Sequence, residues 1–164
     1  MLLFTRLAAI LIIFASLFSC ELGFMAGKKP TQLEKIKHQG ALHVLTRYDP
    51  TTYYEGVEGF TGLEYDLVTL FAQQLGVEVH FEIPDSFDQI LTQTEEGKAD
   101  IAAAGLTVTE QRKKALRFSP TYHEITEQII YRSGSRRPKT INHLTSGILE
   151  VVKGTSHIDT LRAL

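Results

Sequence analysis

Apolar positions along the first two thirds of the chain switch between two periods, and each switch marks a new element. Thr31 is placed to cap a short helix that runs through Lys37 and stops at Gly40. Ala41–Tyr48 then alternates, imperfectly, between apolar and polar residues and predicts a strand. Asp49–Gly62 holds Pro50, Gly56 and Gly59 and is expected to be mostly loop. Leu63, Leu67, Leu70, Phe71 and Leu75 recur at helical spacing, with Glu64, Asp66 and Gln73 between them. This predicts an amphipathic helix ended by Gly76. Val77–Ile83 alternates as a strand and Pro84 ends it. A second helix is expected from about Ser86 to Glu96, burying Phe87, Ile90 and Leu91, with Gly97 as its stop. Asp100–Ala104 is short and apolar, the mark of a buried strand. Strand, helix, strand, helix, strand at this spacing predicts an α/β chain with a parallel sheet and crossover helices.

From Gly105 the pattern loosens. Thr107–Arg112 reads as a loop leading into a short helix capped by Thr109, and Phe118-Ser119-Pro120 breaks that helix. Strands are expected at Ile125–Tyr131 and Thr145–Val152, separated by a polar crossing at Ser133–Pro138. A further helix opens at Gly154-Thr155-Ser156. One strand and one helix are too little to bury a core, so this last unit is expected to be the start of a second lobe that is cut short.

Composition adds few positive signals but excludes several classes. Formal charge is −2, and the densest basic patch is only Arg136, Arg137 and Lys139 around Pro138, so no nucleic-acid partner is expected. The six histidines are scattered, without a pair at the spacing of a zinc helix, and Cys20 is the sole cysteine. No metal, no cofactor and no internal disulfide are expected. Gly-x-Ser-x-Gly and Walker loops are absent, and the adjacent pair Glu95-Glu96 sits at a helix end, where solvation accounts for it. Arg6 followed by the apolar run Leu7–Leu17 and then Ser19-Cys20 has the build of an export signal. The run is shorter than the roughly 20 residues that a spanning helix needs. Leu17-Phe18-Ser19-Cys20 resembles a bacterial lipobox, which implies acylation of Cys20.

The candidate chemistry is anion binding. Arg112 follows a predicted buried strand and a Gly-containing turn, which places it over the C-terminal edge of the sheet, where open α/β sheets take ligands. A guanidinium binds a carboxylate through two parallel hydrogen bonds. Thr107 can add a backbone N–H and a hydroxyl to the same group. Thr155 and Ser156, at a predicted helix N-terminus, offer free amides to an anion.

Three stretches stand out in order: Gly62-Leu63-Glu64-Tyr65-Asp66-Leu67, then Gly97–Arg112 continuing to Phe118-Ser119-Pro120-Thr121-Tyr122, then Val151-Val152-Lys153-Gly154-Thr155-Ser156. Together they resemble the bacterial extracellular solute-binding proteins of family 3, the amino-acid-binding class. The resemblance implies a periplasmic-binding-protein-like fold of type II, its first lobe largely complete and its second truncated. It also implies that the Gly105 carbonyl accepts from a ligand amine, and that Arg47, Thr52 and Tyr53 touch or cover the ligand. The expected organisation is a signal peptide at 1–20, a linker at 21–30, lobe 1 at 31–132, and the crossing segment with the start of lobe 2 at 133–164.

Within that family, Tyr131–Leu144, Leu33-Glu34-Lys35-Ile36 and Thr46–Tyr54 resemble the membrane-bound lytic murein transglycosylases of type F. These join a family 3 domain to a C-terminal lysozyme-like domain at the outer membrane. The resemblance implies an exported regulatory module that binds amino acids or murein peptides and meets peptidoglycan through the catalytic domain. A general acid–base Glu in a Glu-Ser motif is expected of that domain, and no Glu of this chain is followed by Ser. This stretch is therefore not expected to be an enzyme. Two alternatives are an amino-acid-binding component of an ABC transporter and a cyclohexadienyl-dehydratase-like enzyme.

Overall fold

The computed structural model describes residues 28–144 and 147–164. The expected signal segment with Cys20, and most of the expected linker, lie outside them. Two compact units divide the chain at Glu34/Lys35. In the first, Thr31 and Glu34 form a reciprocal cap. The Thr31 hydroxyl accepts from the Glu34 amide at 3.2 Å, and the Glu34 carboxylate accepts from the Thr31 amide at 2.6 Å. The Thr31 amide and hydroxyl, both donating to it, hold the Glu34 carboxyl below the usual range. The helix they start, α1, spans Gln32–Gln39.

The second unit is built on a parallel sheet. β1 (Ala41–Leu45) lies in the middle, with β4 (Glu78–Glu82) on one side and β5 (Ile101–Ala102) on the other. Leu42 faces Val79 and Val44 faces Phe81 across β1 and β4, while Val44 and Leu45 pair with Ile101 and Ala102 of β5. α2 (Leu63–Leu75) connects toward β4 and α3 (Phe87–Glu95) toward β5. Ile36, Leu42, Val44, Val68, Ala72 and Ala103 form one core cluster on the α1/α2 face. On the other face Leu45, Ile90 and Ala104 form a second with Phe87 and Leu106. Full burial of a side chain such as Leu42 stabilises the fold by about 1.5–3 kcal/mol. The α3 face is only half covered: His43 and His80 stack there at 5.4 Å and remain exposed.

Several expectations need correction. β1 ends at Leu45, three residues early, its last contact with β4 being the Thr46 amide on the Glu82 carbonyl at 2.9 Å. The loop after it contains a hairpin, β2 (Tyr54–Gly56) paired with β3 (Gly59–Thr61). α2 has the expected bounds but buries a different face. Leu63, Leu67, Leu70 and Phe71 are 40–58% exposed, whereas Glu64, Val68 and Ala72 are buried. The reason is at its start: a Cβ on Gly62 would lie 2.3 Å from the Thr52 carbonyl oxygen. That close approach fixes the helix's rotation before the apolar stripe can.

Among the described residues neither later strand forms. Ile125–Tyr131 has no regular secondary structure and pairs with no described strand, and Ile130 is 94% exposed. Residues 147–152 are likewise without a ladder, and the first two residues of that expected strand lie outside the described ones. The expected helix at 156 does form, as α4 (Ser156–Ala163). Among the described residues no helix is long and apolar enough to cross a membrane.

Candidate functional site

The chain reverses direction across the sheet between β4 and β5, since β1 stands between them. Such a reversal opens a crevice at the C-terminal ends of the two strands on either side of it, here β1 and β5. Arg47 and Thr52 reach that place from β1, and Gly105 from β5. Ala103 donates its amide to the Leu45 carbonyl at 2.8 Å, after which Gly105 turns the chain at φ +66°. A Cβ there would lie 3.4 Å from Arg47 Nη2 and 3.6 Å from Thr52 Cγ2. Three of the expected ligand residues therefore converge.

Thr52 is 1% exposed, and its hydroxyl donates to the Arg47 carbonyl at 2.8 Å. Asp49 shapes the loop between them, its carboxylate accepting from the Thr51 amide at 2.9 Å and the Thr51 hydroxyl at 2.6 Å. Partial burial works against its charge. The Thr51 bonds and the nearby Arg47 guanidinium outweigh that and hold its carboxyl below the usual range. Arg47 Nη2 meets Asp49 at 3.3 Å, and the guanidinium carbon stands 5.3 Å from the Phe87 ring centre. Its Nε–H is buried without a hydrogen-bond partner. The guanidinium thus lies beside the Gly105 turn with one buried donor unused.

Arg112 sits in a 3-10 turn, Arg112–Lys114, with Thr109 capping its amide at 3.2 Å as expected. It is 7% exposed, with Nη1 donating to the Thr107 carbonyl at 2.7 Å and Nη2 to the Gly154 carbonyl at 2.8 Å. Burial draws its pKa down and Asp159 opposes this; a guanidinium stays charged regardless. Thr107 thus meets Arg112, but through its carbonyl rather than its amide or hydroxyl. The Gly154 backbone presses on the start of α3, where a Cβ would fall 2.8 Å from Asp88 Cβ, and Lys153 Nζ pairs with Asp88 at 2.7 Å.

Thr155 and Ser156 do flank the N-terminus of α4, with no side-chain cap between them and its amides. Their hydroxyls go elsewhere, to the Val152 carbonyl at 2.7 Å and the Glu127 carboxylate at 3.2 Å. Tyr53 stands apart from the other candidates. It packs 4.7 Å from Phe60 and 5.2 Å from Phe81, ring to ring, on a cavity of about 470 Å³ between α2 and β4.

One residue of this region is not singled out by sequence reasoning. Glu64 is 7% exposed and accepts the Gly105 amide at 2.8 Å, and its other oxygen takes the Tyr122 hydroxyl. A carboxylate at the first turn of a helix, just after Gly62, was its available signal. Among the described residues no group of three or more His, Cys, Asp or Glu could hold a metal.

The model of bacterial extracellular solute-binding proteins, family 3, matches residues 42–161. The chain is similar to membrane-bound lytic murein transglycosylase F of Pseudomonas fluorescens (strain Pf-5), 44% identical over 138 residues, or 84% of this chain and 28% of that protein. Its counterpart in Stutzerimonas stutzeri (strain A1501) is 40% identical over 153 residues, 93% of this chain and 30% of that protein. The chain thus spans less than a third of these relatives' length. Among solved structures, a mutant of ArgBP from T. maritima matches with TM-score 0.53 and 32% identity, over 57% of this chain and 41% of that one. A mutant of the arginine-bound form of domain 1 from TmArgBP matches with TM-score 0.51 and 31% identity, over 56% and 71%. The shared architecture is the mixed α/β fold of the type II periplasmic binding proteins, of which these residues cover part.

Proposed function

The chain belongs to the bacterial extracellular solute-binding proteins of family 3, and from that premise we propose that it is an exported ligand-binding module of a type F lytic murein transglycosylase. Its ligand is an amino acid or a murein peptide, held at the crevice between β1 and β5, and its role is regulatory. The single observation that carries this reading is the convergence of Arg47, Thr52 and Gly105 at the point where the sheet reverses. A fixed cation, a buried hydroxyl and a turn carbonyl suit a zwitterion. Arg47, whose guanidinium lies beside the Gly105 turn, is the first contact for the carboxylate. Arg112 contributes only when the Gly154 carbonyl yields its place.

Lobe 1 in this reading ends near residue 132, and peptidoglycan cleavage falls to a separate catalytic domain. Export to the periplasm, attachment to the outer membrane and acylation of Cys20 belong to the same proposal. Matches over 84–93% of this chain to type F transglycosylases support this reading over a transporter component. A relative solved as an arginine-bound single domain supports measurable binding even by one lobe.

Calorimetric titration of the full chain with L-arginine, other amino acids and a murein tetrapeptide tests the reading. Saturable binding is expected, weakened about tenfold or more by Arg47→Ala. No heat from any probe up to millimolar concentration, or affinity unchanged in both Arg47→Ala and Arg112→Ala, would overturn it.

A further inference from the structure

Two loops wall the crevice, and the first turn of α2 holds both. The 49–52 loop gives its carbonyls to the opening amides of the helix: Glu64 donates to Thr51 at 3.4 Å and Tyr65 to Thr52 at 3.0 Å. Those amides have no partner within the helix, so the loop acts as its cap. The second wall, the Gly105 turn, is held by the side chain of Glu64 itself at 2.8 Å.

The carboxylate is nearly out of solvent and has two hydrogen bonds to offset that, one from Gly105 and one from Tyr122. Tyr122 belongs to the irregular segment that follows Pro120, so one carboxylate joins the β5 turn to that segment. Burial and the Glu64 charge push the Tyr122 hydroxyl above its usual pKa.

We infer that Glu64 is a positioning residue of the crevice, fixing the Gly105 turn for the ligand and coupling it to Tyr122. The inference rests on the crevice being the ligand site. Helical periodicity puts Glu64 between the residues of an apolar stripe, on a face expected to be wet. The structure turns that face to the sheet. A buried acid that served stability alone would leave the turn and the ligand indifferent to its charge once the fold was intact.

Four full-chain proteins separate the possibilities: wild type, Glu64→Gln, Glu64→Ala and Tyr122→Phe. Amide hydrogen exchange is read at Gly105 against Ala103, whose bond to Leu45 does not involve Glu64. Arginine affinity is read by calorimetry and tyrosine ionisation by absorbance. In both Glu64 variants Gly105 should exchange about tenfold faster with Ala103 unchanged, and arginine should bind about tenfold more weakly. A late-titrating tyrosine should move toward the others in Glu64→Gln and vanish in Tyr122→Phe. Glu64→Gln guards against Glu64→Ala failing to fold. Native Gly105 exchange in a folded Glu64 variant, or arginine affinity equal to that of a binding wild type, overturns the inference. If wild type takes no arginine, the functional reading suffers, and the Gly105 exchange alone then decides for or against Glu64.

Discussion

Residues 35–106 and residues 107–152 carry similar densities of Ile, Val and Leu but use them differently. In the first stretch Leu42, Val44, Leu45, Ile90 and Ala104 are each at most 1% exposed. In the second Ile130 and Ile148 are both 94% exposed and Val152 is 64% exposed. β1 has a ladder partner on each side and a helix over each face, whereas Ile125–Tyr131 pairs with no described strand. Extended, apolar sequence becomes a strand only where a neighbour satisfies its amides and carbonyls. The second stretch is therefore held at points: Arg112 on Gly154, Lys153 on Asp88, Ser156 on Glu127 and Tyr122 on Glu64.

The contrast breaks most sharply under truncation of matched side chains. Leu42→Ala, at the centre of the sheet, should cost about 3 kcal/mol, since the tight strand packing around it leaves a cavity. Ile130→Ala should cost less than about 0.5 kcal/mol, because its side chain is already in water. Urea unfolding of both variants reads the difference as a shift in midpoint. Equal shifts would mean that Ile130 is buried in solution and that the two regions are not distinct.

What could be read from the sequence divides along the same line. α2 and α3 were legible because Gly76 and Gly97 stop them and their neighbours alternate. The parallel sheet was legible because strand and helix periods follow one another without interruption. The rotation of α2 was not, since it depends on Gly62 meeting Thr52, a contact between backbones that no periodicity encodes. The β2–β3 hairpin was hidden by its own glycines, Gly56 and Gly59, which read equally well as loop. At the site, Arg47, Thr52 and Gly105 follow from resemblance, and the sheet order explains why they meet. The partner of Arg112 could not be foreseen, because Gly154 lies 42 residues away along a stretch that joins no sheet among the described residues.

The point contacts of the second stretch predict intermediate effects. Gly154 has φ +85° and no room for a Cβ against Asp88. Gly154→Ala should therefore lift the segment away and remove the Arg112–Gly154 bond, at a cost of about 1–3 kcal/mol to that local docking. Hydrogen exchange of residues 153–158 should speed up about tenfold or more, while amides of β1 keep their protection. Loss of protection in β1 as well would show that the two regions unfold as one, and would dissolve the contrast.

The smallest expected effect concerns charge at the same contact. The Lys153 hydrogen bond, with help from Ser86, holds the Asp88 carboxyl below its usual range, and Asp88 in turn raises Lys153. Because the Asp88 pKa is lower folded than unfolded, its contribution is present above the unfolded value of about 3.9 and is lost as pH falls through the folded one. Because the Lys153 pKa is higher folded, its contribution is present below about 10.4 and is lost as pH rises through the raised value. Protection of the Thr155 amide, which donates to the Val152 carbonyl at 3.3 Å, corrected for intrinsic exchange, should therefore be level across neutral pH and fall at both extremes. Lys153 is 84% exposed, so salt should weaken the contact, and the effect should be slight beside that of Gly154→Ala. In Asp88→Asn the acid limb should disappear while Arg112 keeps its bond. An acid limb that survives in this variant would mean that the Lys153–Asp88 contact is not its source.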